Sequence, residues 1–237
     1  MKKSILRNLV VVALLLGLLF AAMPTQQAQA ADLTITSLTE FEAFRDAVNA
    51  GDNFAGSTVT LATDIDLTGV AWVPIGTSSK TFAGIFDGGN HTISNVTVDT
   101  PNVDQVGLFG ATNGTIKDLN LNNVYIAGNQ FVGGLVGYAY PNPTITNVHV
   151  TNVTVNANHW AGGLVGWGYG QYSNCSVTNP TITTTFDTSI NDNGDKAGGL
   201  IGFLGEDGVV ENSVATNVNI TGVRDVGGLI GNITTRM

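Results

Sequence analysis

Few residues of this chain combine a reactive type with a useful spacing. Asp64 and Asp66, in "TDIDL", stand two apart and so share one face of a strand, and Asp87 begins the next tight turn. Paired carboxylates could act as acid and base on a glycosidic bond, but turn stabilisation is the more economical role. Basic partners are scarce: after residue 30 there are only Arg45, Lys80, Lys117, Lys196, Arg224 and Arg236. Catalysis is therefore not expected. His91, His149 and His159 are scattered, and none has a second ligand at a metal-binding spacing; His91, in "GGNHTI", reads as a turn residue. Asp187, Asp192, Asn193 and Asp195 could offer hard oxygen ligands to calcium, although their spacing is not that of an EF-hand loop and a solvated loop explains them equally well. No other cofactor is expected. Cys175 has no histidine beside it to activate it, and it reads as a small apolar residue at a strand position.

One column of residues invites a binding role. Ala111, Tyr138, Trp167, Phe203 and Asn232 each follow a glycine-rich block, with Tyr140 and Tyr169 two residues further on in two of the blocks. Facing outward, Tyr138, Trp167 and Phe203 would form a flat platform for sugar rings. Facing inward they would be core, the commoner fate of bulky aromatics.

Whatever positions these residues is written in repeats. Residues 107–110, 134–137, 163–166, 199–202 and 228–231 read Gly-Leu-hydrophobic-Gly, with successive leucines 27, 29, 36 and 29 residues apart. The repeat comprises Gly107, Leu108 and Gly110; Gly134, Leu135 and Gly137; Gly163, Leu164 and Gly166; Gly199, Leu200 and Gly202; and Gly228, Leu229 and Gly231. Such periods indicate a stacked array in which no unit buries its apolar face alone. After each glycine block come short alternating segments rich in Val, Ile and Thr, such as "TITNVHV" and "VTVNA". Three short strands per unit and no helix between them describe a parallel β-helix. The glycines then serve close approach of backbones and not a phosphate, because no helix follows them.

Polar residues keep the same register. Asn95, Asp118, Asn147, Asn174 and Asn212 form one column, and Asn123, Asn152, Asn179 and Asn217 another. At the inter-strand spacing of about 4.8 Å, stacked amides can bond in a ladder along the axis, and Asn tolerates the left-handed backbone of a corner. Sequons occur at Asn95, Asn113, Asn152, Asn174 and Asn232, but their recurrence at the coil period favours corner roles over glycans, on turns expected to face the interior.

The ends differ from the middle. Residues 1–30 read as an export signal: basic Lys2, Lys3 and Arg7, an apolar run over 9–22, and an A-x-A site at 28–30. Beyond it, six basic residues face eighteen acidic ones, a net charge of −12, which argues against nucleic acid and anionic lipid as partners. No membrane insertion is expected once the signal is removed. Residues 31–56 predict an N-terminal cap, with a helix started by Ser37 and Glu40, stopped by Gly51, and directing Leu38, Phe41, Phe44 and Val48 to the core. Residues 57–105 predict irregular first coils with Trp72 buried near the cap, and 106–237 the regular repeats, breaking off as though part of a longer chain with further domains.

The five Gly-Leu-hydrophobic-Gly blocks, with the lead-in "DIDLTGVAWVPIG" and "FAGIFDGGNHTISNVTV", resemble the GLUG-motif proteins of bacterial secreted and surface chains over roughly residues 33 to 231. The resemblance implies an all-β, right-handed parallel β-helix, secreted or at the cell surface, often in the adhesin-like part of a larger chain. Some such proteins carry the repeats beside an immunoglobulin-A-cleaving metallopeptidase domain, but no H-E-x-x-H occurs here. The expected function is a non-catalytic scaffold binding a glycan or a cell-surface protein. A polysaccharide lyase or hydrolase of β-helix fold is the alternative. An ice-binding solenoid is third, because only "TITTT" at 181–185 has the required threonine pattern.

Overall fold

The computed structural model describes residues 31–185 and 194–234; the expected export signal lies outside them. The chain winds as a parallel β-helix of about seven turns. Every pairing between its strands is parallel, and residues one repeat apart lie side by side: Val150 pairs with Leu121 and Val177, and Val165 with Val136 and Ile201. Among the described residues three sheets run along the axis, of thirteen, five and four strands. Val, Ile and Leu at alternate positions fill the interior, including Leu108, Leu135, Leu164 and Leu200, which are fully buried. Strands buried on one face alternate in this way, apolar side chains inward and polar ones outward.

The three segments expected per coil resolve more finely. The glycine block splits between the two smaller sheets, as in Val132–Gly133 and Val136–Ala139, while the two segments after it form one long strand, Thr144–Ala157, bent twice. The bends are the asparagine columns. Asp118, Asn147, Asn174 and Asn212 have φ of 48–53°, and Asn123, Asn152, Asn179 and Asn217 have φ of 54–58°. Left-handed backbone costs most residues about 1–2 kcal/mol and Asn or Asp less, so these residues turn the corner in coil after coil.

Asn95 belongs to the second column and not the first. Ser94 pairs with Asn122 and Val96 with Val124, which brings Asn95 level with Asn123. Asn95 lies 28 residues before Asn123, one coil period, and only 23 before Asp118. The ladder is therefore best formed in the second column. Asn123 Nδ2 donates to Asn95 Oδ1 (2.5 Å), Asn179 Nδ2 to Asn152 Oδ1 (3.0 Å) and Asn217 Nδ2 to Asn179 Oδ1 (3.0 Å), while Asn152 donates to the neighbouring Asn122 (3.3 Å). In the first column Asn147 Nδ2 donates to Asp118 Oδ1 (2.7 Å). A further ladder, Asp104–Asn129–Asn158–Thr185, is legible only in the fold. The corner asparagines face outward, not inward: Asn123, Asn152, Asn174 and Asn179 are exposed. Along the second column it is the ladder bonds, not burial, that occupy their amides.

The one helix among the described residues, Leu38–Ala50, lies at the N-terminal end and buries Phe41, Phe44 and Val48. Ser37 Oγ accepts from Glu40 N (3.3 Å), and the Glu40 carboxylate returns to N and Oγ1 of Thr36 (2.7 Å each), one residue before the cap. Phe41 stacks on Trp72 at 4.8 Å, and Phe44 meets Phe54, Phe82 and Phe86. Trp72 is buried as expected, its Nε1 donating to Leu108 O (3.1 Å).

Candidate functional site

The site follows from the glycine block. Leu108, Leu135, Leu164 and Leu200 point into the core, and the carbonyls of Leu164, Leu200 and Leu229 each accept two N–H groups from the coil before: Leu164 O takes Leu135 N and Val136 N, both at 3.0 Å. The backbone around it is crowded on two sides. A β-carbon on Gly134 would meet the carbonyl of Gly163 in the next coil. One on Gly137 would lie 2.5 Å from Val106 N, in the coil before, and 2.6 Å from Phe131 O, at the edge of the adjoining sheet. The first glycine thus admits coil-on-coil approach, and the second lets two sheets fold toward each other in a crease.

Side chains flanking the crease face one another across it. On one sheet stand Tyr138, Trp167 and Phe203, paired in register as the sequence column requires, and partly exposed. They point outward. Their rings stack along the axis, Tyr138 on Trp167 at 4.7 Å and 15°, and Trp167 on Phe203 at 5.6 Å and 16°. Along the other sheet stand Phe131, Trp160, Lys196 and Asp225, each two residues before the double glycine of one of the last four blocks. Phe131 stacks on Trp160 at 4.6 Å and reaches Tyr138 at 5.5 Å and Trp167 at 5.4 Å. Tyr140 and Tyr169 extend the surface, edge-on to each other at 5.2 Å. Burial among these rings raises the pKa of the Tyr138 and Tyr169 hydroxyls, with Tyr140 adding to the effect on each. Both are neutral donors at ordinary pH.

Phe131 and Trp160 were not singled out in the sequence. Their signal was the position two residues before the double glycine, in "FVGGLVGY", "WAGGLVGW", "KAGGLIGF" and "DVGGLIGN". Lys196 continues that column. Its ammonium lies 5.6 Å from the Trp160 ring centre and 5.9 Å from that of Phe203, within the range of cation–π attraction. Two clefts adjoin here. One of about 190 Å³ is lined by Phe131, Trp160, Trp167, Lys196 and Phe203, and one of about 330 Å³ by Lys196, Phe203, Asp225, Asn232 and Thr234.

Other candidates have structural partners. Asp66 Oδ1 accepts from Thr68 N, Thr68 Oγ1 and Asn95 Nδ2 (2.7–2.9 Å), and Asp64 Oδ1 from Thr92 N (2.9 Å), with His91 Nδ1 at 3.1 Å. The Asn95 amide, chiefly, depresses the pKa of Asp66, and the Thr92 N–H that of Asp64. Asp87 pairs with Lys117, which also bridges to Asp118 (3.0 Å). His149 sits between Ser176 and Asn147, and His159 is buried beside Trp160.

Of the calcium candidates, Asp187, Asp192 and Asn193 lie outside the described residues. Asp195 is buried and binds the chain itself, Oδ2 accepting from Thr184 Oγ1 (2.6 Å) and Val223 N (2.7 Å). Among the described residues no group of three or more His, Cys, Asp and Glu is placed to hold a metal ion. Cys175 is buried in the core, and burial raises its pKa. "TITTT" places Thr181 and Thr183 beside Thr154 and Asn156 on one side and Asn219 and Thr221 on the other, but the row ends at Tyr125 and Ala127. No helix among the described residues is long and apolar enough to cross a membrane.

Comparison with known proteins agrees with this geometry. The sequence profile of the GLUG motif matches residues 128–156, which is one coil from the crease through the bent strand. Halomucin of Haloquadratum walsbyi is 34% identical over 116 residues, a match covering 44% of this chain and 1% of Halomucin. No solved structure matches the chain. The chain is thus a parallel β-helix that carries the GLUG motif.

Proposed function

We propose that this chain is a non-catalytic, adhesin-like module of a secreted or cell-surface protein, and that its aromatic groove binds glycan. The observation that carries the reading is the stack of Tyr138, Trp167 and Phe203, which stand outward and partly exposed while Val136, Val165 and Ile201, two residues before each, are buried. Ring faces spaced along an axis suit the apolar faces of successive sugar units. The rigid ladder beneath holds them in place without ligand, so little ordering entropy opposes binding. The GLUG match and the likeness to Halomucin support a surface location. The carboxylates Asp64, Asp66 and Asp87 stabilise turns and an ion pair, which favours scaffold over lyase or hydrolase.

A glycan array probed with the wild-type chain and the Trp167→Ala variant tests the proposal. Retention of one or more glycans by the wild type, lost in the variant while its far-ultraviolet spectrum and melting temperature hold, is the expected result. Equal retention by both proteins would sink it.

A further inference from the structure

The groove changes character along its length. Toward the N-terminal side both columns are aromatic; toward the C-terminal side the outer positions become Lys196, Asp225 and Asn232. The wider cleft lies there, and its volume of about 330 Å³ falls at the lower end of the roughly 300–1,000 Å³ typical of small-ligand sites. Phe203 and Lys196 line both clefts.

We propose that this polar cleft is a subsite for one unit of a neutral glycan, recognised through adjacent hydroxyl groups; the proposal rests on the glycan-binding reading above and specifies its ligand class. The Lys196 side chain is 5% exposed, and its ammonium is held by Gly194 O (3.3 Å), the two ring faces and Asp225 Oδ2 (3.9 Å). Asp225 is 42% exposed, and its Oδ2 accepts from Asn232 Nδ2 (2.9 Å). An anchored donor and an anchored, solvent-facing acceptor thus stand side by side next to the Phe203 ring. A sugar hydroxyl both donates and accepts, so two neighbouring hydroxyls can give one hydrogen bond to Asp225 and take another from Lys196 or Asn232. Such charge-assisted bonds are the stronger kind.

The same arrangement disfavours acidic sugars. A uronate carboxylate entering the cleft would lie beside Asp225, and the chain as a whole carries a net charge of −9. The single ammonium is already shared with Asp225, so it cannot offset a second carboxylate without exposing the first.

Isothermal titration of the whole chain against a mannan, a galactan and a glucan, and against polygalacturonate and alginate, tests this. Binding is expected to at least one neutral polymer and to neither acidic one. Asp225→Asn should raise Kd for the neutral polymer tenfold or more with an unchanged melting temperature, and Asn232→Ala, which removes a donor without touching the carboxylate, severalfold. If Trp167→Ala abolishes binding while Asp225→Asn and Asn232→Ala stay within twofold of wild type, the aromatic groove binds without this subsite and the proposal fails alone. Preference for the acidic polymers would overturn it as well. Binding of none of the five would remove the glycan reading and the subsite together.

Discussion

The first glycine block and those that follow use the same two positions in opposite ways. In residues 107–111 the aromatic Phe109 points inward and Ala111 stands in the outward column; in the next three blocks the inward residue is Val136, Val165 or Ile201 and the outward one Tyr138, Trp167 or Phe203. The register is identical, so the exchange owes nothing to backbone geometry. What differs is the neighbour along the axis. Near the cap, Phe109 meets Phe82 and Phe86, which join Phe44 of the helix in filling an end that no preceding regular coil fills. Deeper in the stack, coils above and below fill the cross-section mainly with aliphatic chains, Tyr172 between Ile145 and Val210 being the buried exception, and aromatics at the outward position line a groove. At this pair of positions, bulk is structural at the end and presented at the surface in the middle.

Truncating the same residue class at the two places should give unequal losses. Phe44→Ala in the cap is expected to cost about 3–5 kcal/mol of unfolding free energy, because it empties a fully enclosed site. Trp167→Ala should cost less than about 1.5 kcal/mol, since its ring is only partly removed from water. Denaturant unfolding of both variants measures the gap, and equal losses would contradict the contrast. Copying the cap into the repeats sharpens it further: Val165→Phe should overpack a filled coil and lower stability by about 1–3 kcal/mol, read from the same curves.

A smaller effect belongs to the corners. Asn179→Ala loses bonds to Asn152 and from Asn217 and leaves alanine at a φ of 56°, for an expected loss of about 1–2 kcal/mol seen as a lower melting temperature. Asn179→Gly should recover the backbone part of that loss and not the hydrogen bonds.

Acid should act most gently, and more on the corners and cap start than on the groove. Hydrogen bonds to the ionised form depress the carboxyl pKa of four groups: Glu40 through Thr36 N–H, Asp64 through Thr92 N–H, Asp66 through Asn95, and Asp118 through Asn147 and then Lys117. A depressed carboxyl stabilises the fold above its unfolded value, here 3.8 for the aspartates and 4.5 for Glu40, and the contribution disappears as pH falls through the folded value. Melting temperature should therefore be flat across neutral pH and decline only below about pH 4. Lys117 is the opposite case, raised above 10.5 by Asp87 and Asp118, so its contribution fades only in strong alkali. A thermal melt series across pH checks both limbs.

Much of this architecture was determined by the sequence alone. The leucine spacing, the aliphatic alternation and the corner asparagines are local statements repeated at one period, and stacking converts each into the same contact in every coil. Ser37, Glu40, Phe41 and Phe44 likewise announced the cap, through rules that operate within a single helical turn. Only the tertiary structure decided which way Tyr138, Trp167 and Phe203 point, that Phe131 and Trp160 join them, and that Asn95 belongs to the second corner. The physical reason is common to the three: each depends on where one sheet of a coil stands relative to another, and on which residue of the adjoining coil comes level with it. Neither quantity is carried by a side-chain pattern along a strand. The crease that gathers the aromatics arises where glycines let two backbones approach, and it becomes visible only once both are in place.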